Sequence, residues 1–258
     1  MAAKKSGWVE RAIASTKPRA MAFDAVRVVE SQSIIATRKL VDSDVEQALL
    51  EHLVDRVKPP VPAGDAFESL HYLLVTPFRH PPLRWGSRFG TRAERGIWYG
   101  ARDLATCFAE VAYYRLLFLE GTKAAIAPIT VELTSFAAAV KTSRGVDLMR
   151  PPFAEHEADI ASPISYDAAH AVGAALRAAG VEVMLFLSAR AKVRGVNVAL
   201  FEPAFARRTP KKLEPWICTT DRDKVEISEK TFTRDRSRRW TFPRGDFEVG
   251  GKLPSPSS

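Results

Sequence analysis

A glutamate set among apolar residues is the first feature of this chain that could do chemistry. Glu110 lies within FAEVAYY, where a carboxylate costs free energy unless it is paired or used. Just upstream, from Arg79 to Arg102, stand six arginines (79, 84, 88, 92, 95 and 102) and one acid, Glu94. Guanidinium forks grip phosphate or carboxylate oxygens through two parallel donors. Gly86, Gly90, Gly96 and Gly100 would let backbone approach such a ligand closely. Two readings stand side by side. Glu110 either forms a structural ion pair with a solvent-facing basic loop, or is a catalytic carboxylate facing a cleft that binds an anionic substrate through those arginines.

Spacing adds three more positions. Arg88 in GSRFG, Tyr99 in IWYGA and Glu110 are eleven residues apart twice over. Downstream, Ser188 ends the apolar run of MLFLSAR and Asn197 sits in GVNVALFEP. Ser188 has no general base beside it in sequence, so a nucleophilic role lacks support; the plain alternative is a small turn residue. Other chemistries are poorly supported. No glycine-rich dinucleotide or phosphate loop, no G-x-S-x-G and no H-E-x-x-H occurs. The five histidines (52, 71, 80, 156 and 170) lack metal-ligand spacing, and Glu155-His156-Glu157 reads as a solvated face. No metal is expected.

The elements that must position these residues follow from periodicity. A strand is expected over 25–30. Ser43-Asp44-Val45-Glu46 matches a capping box, and Val45, Leu49, Leu50, Leu53, Val54 and Val57 recur at helical spacing up to the prolines at 59 and 60. Residues 70–78 read as a strand, 97–99 as a short strand, and 103–120 as a helix capped by Asp103 and closed by Gly121. In that helix Leu104, Cys107, Phe108, Val111 and Phe118 form the expected core stripe, with Glu110 at its margin. Strands are expected at 123–136, 137–142, 181–187 and 196–201, a helix over 165–179, and a hairpin joining 216–220 to 225–228. The first 20 or so residues read as a loose arm, and the final GGKLPSPSS as disordered by composition. The order is α+β, with three segments: a basic arm and helical extension over 1–64, a catalytic domain over 65–206, and a basic extension with hairpin and tail over 207–258.

Composition narrows the class. The chain has 258 residues, 46% hydrophobic and 26% charged, which excludes a fibrous or wholly disordered protein. Cys107 and Cys218 are too few for a disulfide framework and read as reduced packing residues. With no long apolar run and no leader pattern, the expected location is cytoplasmic and off the membrane. The net charge of +8 invites a nucleic-acid reading. Yet residues 1–39 hold eight Lys/Arg against three Asp/Glu, and 207–258 hold thirteen against eight. The surplus therefore lies at the two ends, as solvated surface does.

In order and spacing, Gly-x-Arg-aromatic, Tyr-x-Ala, the run ending in Glu110-Val111, the strand-end Ser188 and Asn197-Val198 resemble the RES family, over about residues 70–203. The longer opening resembles the RES branch with an N-terminal helical extension. The resemblance implies an ADP-ribosyltransferase-like toxin that consumes NAD+, paired with an Xre-type helix-turn-helix antitoxin that occludes the cleft, and a possible homodimer within that complex. It implies Arg88 and Arg79, or Arg84 in competition with Arg79, on the pyrophosphate or adjoining ribose. Tyr99 would lie on nicotinamide, Glu110 at the nicotinamide ribose, and Ser188 and Asn197 would complete the pocket. The implied reaction cleaves the nicotinamide–ribose bond with phosphate or water as acceptor. Carboxylates suit the oxocarbenium-like charge that develops. Mono-ADP-ribosylation of a protein is the alternative within enzymes, and a non-enzymatic basic nucleic-acid-binding protein the alternative of another class.

Overall fold

Leu73, Leu74, Val75 and Phe78 are all buried, and the segment that holds them is a helix. The structure, a computed structural model, describes residues 7–31, 40–82, 86–124, 126–231 and 237–255. In chain order the elements are α1 (Gly7–Ser15), β1 (Arg19–Glu30), α2 (Asp44–Val57), α3 (Tyr72–Arg79), β2 (Trp98–Ala101), α4 (Leu104–Glu120), β3 (Ile129–Asp147), α5 (Glu157–Ile160) and α6 (Asp167–Ala178), followed by β4 (Val183–Leu187), β5 (Val196–Leu200), β6 (Lys211–Thr220), β7 (Lys224–Glu229) and β8 (Arg239–Pro243). The fold is α+β, around one mixed sheet of eight strands.

The sheet runs β1-β2-β5-β4-β3-β6-β7-β8, and β1 also pairs with β3. That extra pairing joins β1, β2, β5, β4 and β3 into a ring, with β6, β7 and β8 continuing from β3. Long β3 makes this possible, because it pairs antiparallel with β1 and β6 and parallel with β4. Strand β4 is buried at every residue, as a continuous apolar run requires when both faces are covered. Strands β6 and β7 meet at Thr220↔Val225, and Asp221 Oδ1 accepts the N–H of Asp223 (2.8 Å) and Lys224 (2.9 Å) to close the hairpin. Thus β1, from the segment read as an N-terminal extension, and β6 to β8, from the C-terminal one, lie in the same sheet as β2 to β5.

Several local expectations give way to tertiary context. The loose arm is replaced by α1 and the start of β1, because Val9 and Ala12 pack into a buried cluster with Val172 and Leu176 of α6. Residues 70–78 form α3 rather than a strand; an apolar run this short does not separate the two periods. His71 caps α3, its Nδ1 accepting the Leu73 N–H at 3.3 Å. The two strands expected over 123–142 are one, β3, running on to Asp147. In α4 the buried face is Thr106, Cys107, Phe108, Ala109, Ala112, Tyr113, Leu116 and Leu119, whereas Phe118 is 71% exposed. The tail is ordered further than its composition suggests: Leu253 and Pro254 are buried, and Tyr113 Oη donates to the Pro254 carbonyl. His156 is no solvated residue; it stacks on Trp8 with ring centroids 3.8 Å apart. Both cysteines are free and buried. Among the described residues no helix is long and apolar enough to cross a membrane.

Candidate active site

The β4–β5 hairpin and α4 converge on Glu110. Asp103 starts α4 by accepting the N–H of Thr106 at 2.8 Å, which sets the phase that brings Glu110 toward the sheet. Ser188 follows β4 and its N–H donates to the Gly195 carbonyl (2.9 Å), closing the loop before β5. Its Oγ accepts the N–H groups of Arg190 (3.1 Å) and Ala191 (3.0 Å). Both hydroxyl lone pairs are then taken, so the hydroxyl hydrogen goes to Glu110 Oε1, 2.7 Å away. Asn197 on β5 donates its Nδ2 to the same oxygen at 2.6 Å. Among the described residues no hydrogen bond engages Oε2. The carboxylate is gripped by one oxygen and open at the other.

It opens on a cavity of about 610 Å³ walled by β1, β2, α4, Phe186, Asn197 and the turn carrying Arg88. That is within the range of small-molecule sites, roughly 300–1,000 Å³. The turn is tightly built. Ser87 donates to the Gly90 carbonyl at 2.7 Å, and Gly86 has φ +80°, where a Cβ would sit 2.6 Å from Gly90 O. Gly173 lets α6 press on the same turn, since a Cβ there would meet Phe89 O at 2.1 Å. The His170 ring completes the support, with Nε2 2.7 Å from the Ser87 carbonyl. Arg88, only 8% exposed, donates through Nη1 to the carbonyls of Ile160 (3.2 Å) and Ser162 (2.9 Å) and lies 4.8 Å from the Tyr166 ring centroid. Tyr166 Oη is 3.3 Å from Tyr114 Oη across the cavity wall.

Tyr99 reaches the same turn. Its Oη accepts the Phe89 N–H (3.1 Å) and lies 2.9 Å from Ser87 Oγ, while burial pushes its phenol up to about 12. The hydroxyl therefore tethers the turn to β2, and the ring forms part of the cavity wall.

The expected arginine cluster disperses. Arg79 donates to the Pro59 carbonyl and does not line the cavity. Arg95 pairs with Glu202, and Arg102 lies over Phe23 at 4.5 Å. Arg84 lies outside the described residues. Of the loop arginines described, only Arg88 lines the cavity. The second cavity arginine comes from elsewhere: Arg27 on β1, 61 residues before Arg88. Its Nη1 donates to the Tyr99 carbonyl at 2.7 Å, its Nε is buried without a partner, and burial lowers its guanidinium to about 10. The sequence signal was a charged residue interrupting the apolar run AVRVV. Tyr114 and Tyr166 were also missed, since only the fold brings them together. Arg115, at the rim, pairs with Glu30. Among the described residues no arginine pairs with Glu110; serine and asparagine hold the carboxylate instead. Among the described residues no group of His, Cys, Asp and Glu is arranged to hold a metal.

A family model for the RES domain matches residues 61–221, well over half of the chain. The chain belongs to the RES domain family. The match begins within the segment read as the N-terminal extension and runs through β6 to Asp221. Among solved structures, the RES chain is similar to one in the crystal structure of the M. tuberculosis MbcT–MbcA toxin–antitoxin complex, at 14% identity and a TM-score of 0.42, covering 76% of this chain and 82% of that one. No curated protein matches the chain.

Proposed function

We propose that this RES protein is the toxin of a toxin–antitoxin pair and cleaves the nicotinamide–ribose bond of NAD+, passing ADP-ribose to phosphate or water. The observation that carries this reading is the Glu110 carboxylate, fixed at Oε1 by two donors and without a partner at Oε2 among the described residues, on a cavity lined by Arg27, Arg88, Arg115 and several aromatic rings. Breaking a glycosidic bond to a cationic leaving group builds positive charge on the ribose, and a carboxylate already oriented stabilises it without reorganising. Arg27 and Arg88 would hold the pyrophosphate, Arg27 with a buried N–H still unpaired. The aromatic walls (Tyr99, Tyr114, Tyr166 and Phe186) offer faces for the rings of the dinucleotide. Ser188 orients Glu110 and does not attack, because its hydroxyl hydrogen is committed to the carboxylate. Family membership supports the toxin role, with an Xre-type antitoxin covering the cleft as its partner.

Incubation with NAD+, with and without phosphate, tests this by following nicotinamide and ADP-ribose-1″-phosphate. Turnover should vanish in Glu110→Gln. Nicotinamide release that requires an added protein, which gains mass, would replace the reading with ADP-ribosylation of that protein. Salt-dependent nucleic-acid binding without NAD+ turnover would overturn it.

A further inference from the structure

The cavity has two ends, and the chemistry at Glu110 uses one. The other lies further along α4 and β1. Arg115 stands five residues past Glu110, roughly 7.5 Å along the helix axis. Glu30 pairs with it from β1, where Val28 and Glu30 share a face at the strand period of two. Leu133, the register partner of Glu30 on β3, lines the same end. The walls there are apolar: Val28, Val111, Leu133 and, at the mouth, the exposed ring of Phe118. Among the described cavity residues beyond Arg27 on β1 and beyond Glu110 on α4, Glu30 and Arg115 are the only charged ones.

Apolar walls with one carboxylate and one guanidinium at the rim suit a nucleoside. The base lies against the apolar faces, and a carboxylate accepts from the vicinal hydroxyls of the sugar, as an acidic residue does for ribose in dinucleotide-binding folds. Glu30 has the capacity for this. Its Oε1 accepts from Arg115 Nη2, no hydrogen bond engages its Oε2 among the described residues, and its side chain is 65% exposed. Arg115 commits one nitrogen to Glu30, and its remaining N–H groups make no hydrogen bond among the described residues. A guanidinium standing alone there would attract a phosphate on the sugar. Glu30 neutralises it and sets a like charge in the path of that phosphate, which discriminates by repulsion.

We propose that the Glu30–Arg115 pair is a selector for a free ribose 2′-hydroxyl, admitting NAD+ and rejecting NADP+. Glu30 takes the 2′,3′-diol of the adenosine ribose and, by holding Arg115, denies the guanidinium to a 2′-phosphate. The inference rests on the NAD+ reading, which sets the nicotinamide ribose at Glu110 and so sends the adenosine half to the other end.

Nicotinamide release from NAD+ and from NADP+ tests it, in the full-length wild type, Glu30→Gln and Glu30→Gln/Arg115→Leu. Wild-type kcat/KM for NAD+ should exceed that for NADP+ by about tenfold or more. Glu30→Gln keeps the shape and frees Arg115, so kcat/KM for NADP+ should rise by about tenfold, as one charge-assisted hydrogen bond allows, while KM for NAD+ rises. The double variant should lose the NADP+ gain. A salt bridge that merely ties α4 to β1 would lower both substrates alike and leave their ratio unchanged, which overturns the proposal. So does a wild type that uses the two dinucleotides equally. Calorimetric binding of 5′-AMP and adenosine 2′,5′-bisphosphate reads the same selector without turnover. The wild type should favour 5′-AMP, and Glu30→Gln the bisphosphate. If neither dinucleotide is cleaved and the fragments still invert in this way, the cleavage reading falls and the selector stands. NAD+ cleavage without that inversion sinks the selector alone.

Discussion

Ser188→Ala separates an orienting serine from an attacking one. Two effects follow from its four contacts. The Glu110 carboxylate loses one of its two donors, the 2.7 Å bond from Oγ, and keeps Asn197 at 2.6 Å. A hydrogen bond to a charged group is worth about 1.5–3 kcal/mol. At about 1.4 kcal/mol per tenfold, turnover should fall about ten- to a hundredfold. The loss should appear in kcat, with KM for NAD+ nearly unchanged, because the carboxylate acts on charge that develops in the transition state. The second effect is on stability. The N–H groups of Arg190 and Ala191 lose their acceptor. The site is only part-buried and water can reach it, so the cost should be about 1–3 kcal/mol in total. For a chain of this size that lowers the melting temperature by roughly 2–10 °C. The assays are steady-state nicotinamide release and thermal unfolding by circular dichroism. If Ser188→Ala retained its melting temperature yet lost activity as completely as Glu110→Gln, Ser188 would be acting as a reactant and the orienting argument would fail.

Further outcomes follow from the other side chains. Arg27→Met should raise KM for NAD+ by tenfold or more while leaving the melting temperature equal or higher, because it removes a buried guanidinium whose Nε has no partner; a large drop in stability would show that Arg27 is structural. Tyr99→Phe keeps the ring but frees the Phe89 N–H, so it should cost about 1–3 kcal/mol in chemical denaturation; an unchanged midpoint would mean the tether carries no weight. Gly86→Ala should destabilise the turn and lower both stability and turnover, since its Cβ would lie 2.6 Å from Gly90 O; expression at wild-type stability would refute the close approach. Cys107 and Cys218 are buried, and burial is the main cause pushing both thiols up. A thiol reagent should therefore label them only on unfolding, and quick labelling of the native protein would contradict their placement.

Much of this arrangement could be read from local pattern. Asp103, Glu110 and Gly121 mark α4 because caps and helical period are properties of neighbouring residues. Ser188 and Asn197 stand at the ends of dense apolar strands, where a polar residue is conspicuous. What escaped notice depends on distant partners. Arg27 looks like an ordinary surface arginine of a strand until β2 covers it, 72 residues on, at Tyr99. Tyr166 gains meaning only beside Arg88 and Tyr114. Arg79, by contrast, sat near Arg88 in sequence and is carried away by α3 to the Pro59 carbonyl. Arginine count measured supply, and the fold decided delivery. Residues 70–78 follow the same rule: their apolar run fits either period, and packing of α3 against β2 settles it as a helix.

The ring of β1, β2, β5, β4 and β3 has a consequence for when this protein can act. Its cavity takes Arg27 from the first strand and Asn197 from the fifth, 170 residues later, with Arg88 and Glu110 between them. Such non-local pairing forms late in folding, after long loops have closed. A nascent chain whose synthesis has not passed Asn197 holds only one of the two donors that orient Glu110. Chains released short of that point are incapable of completing the site, as are chains nicked so that β1 is lost. The order of strands thus works as a proof of completion: the carboxylate is fully held only in a molecule that has been made through β5 and has closed its ring.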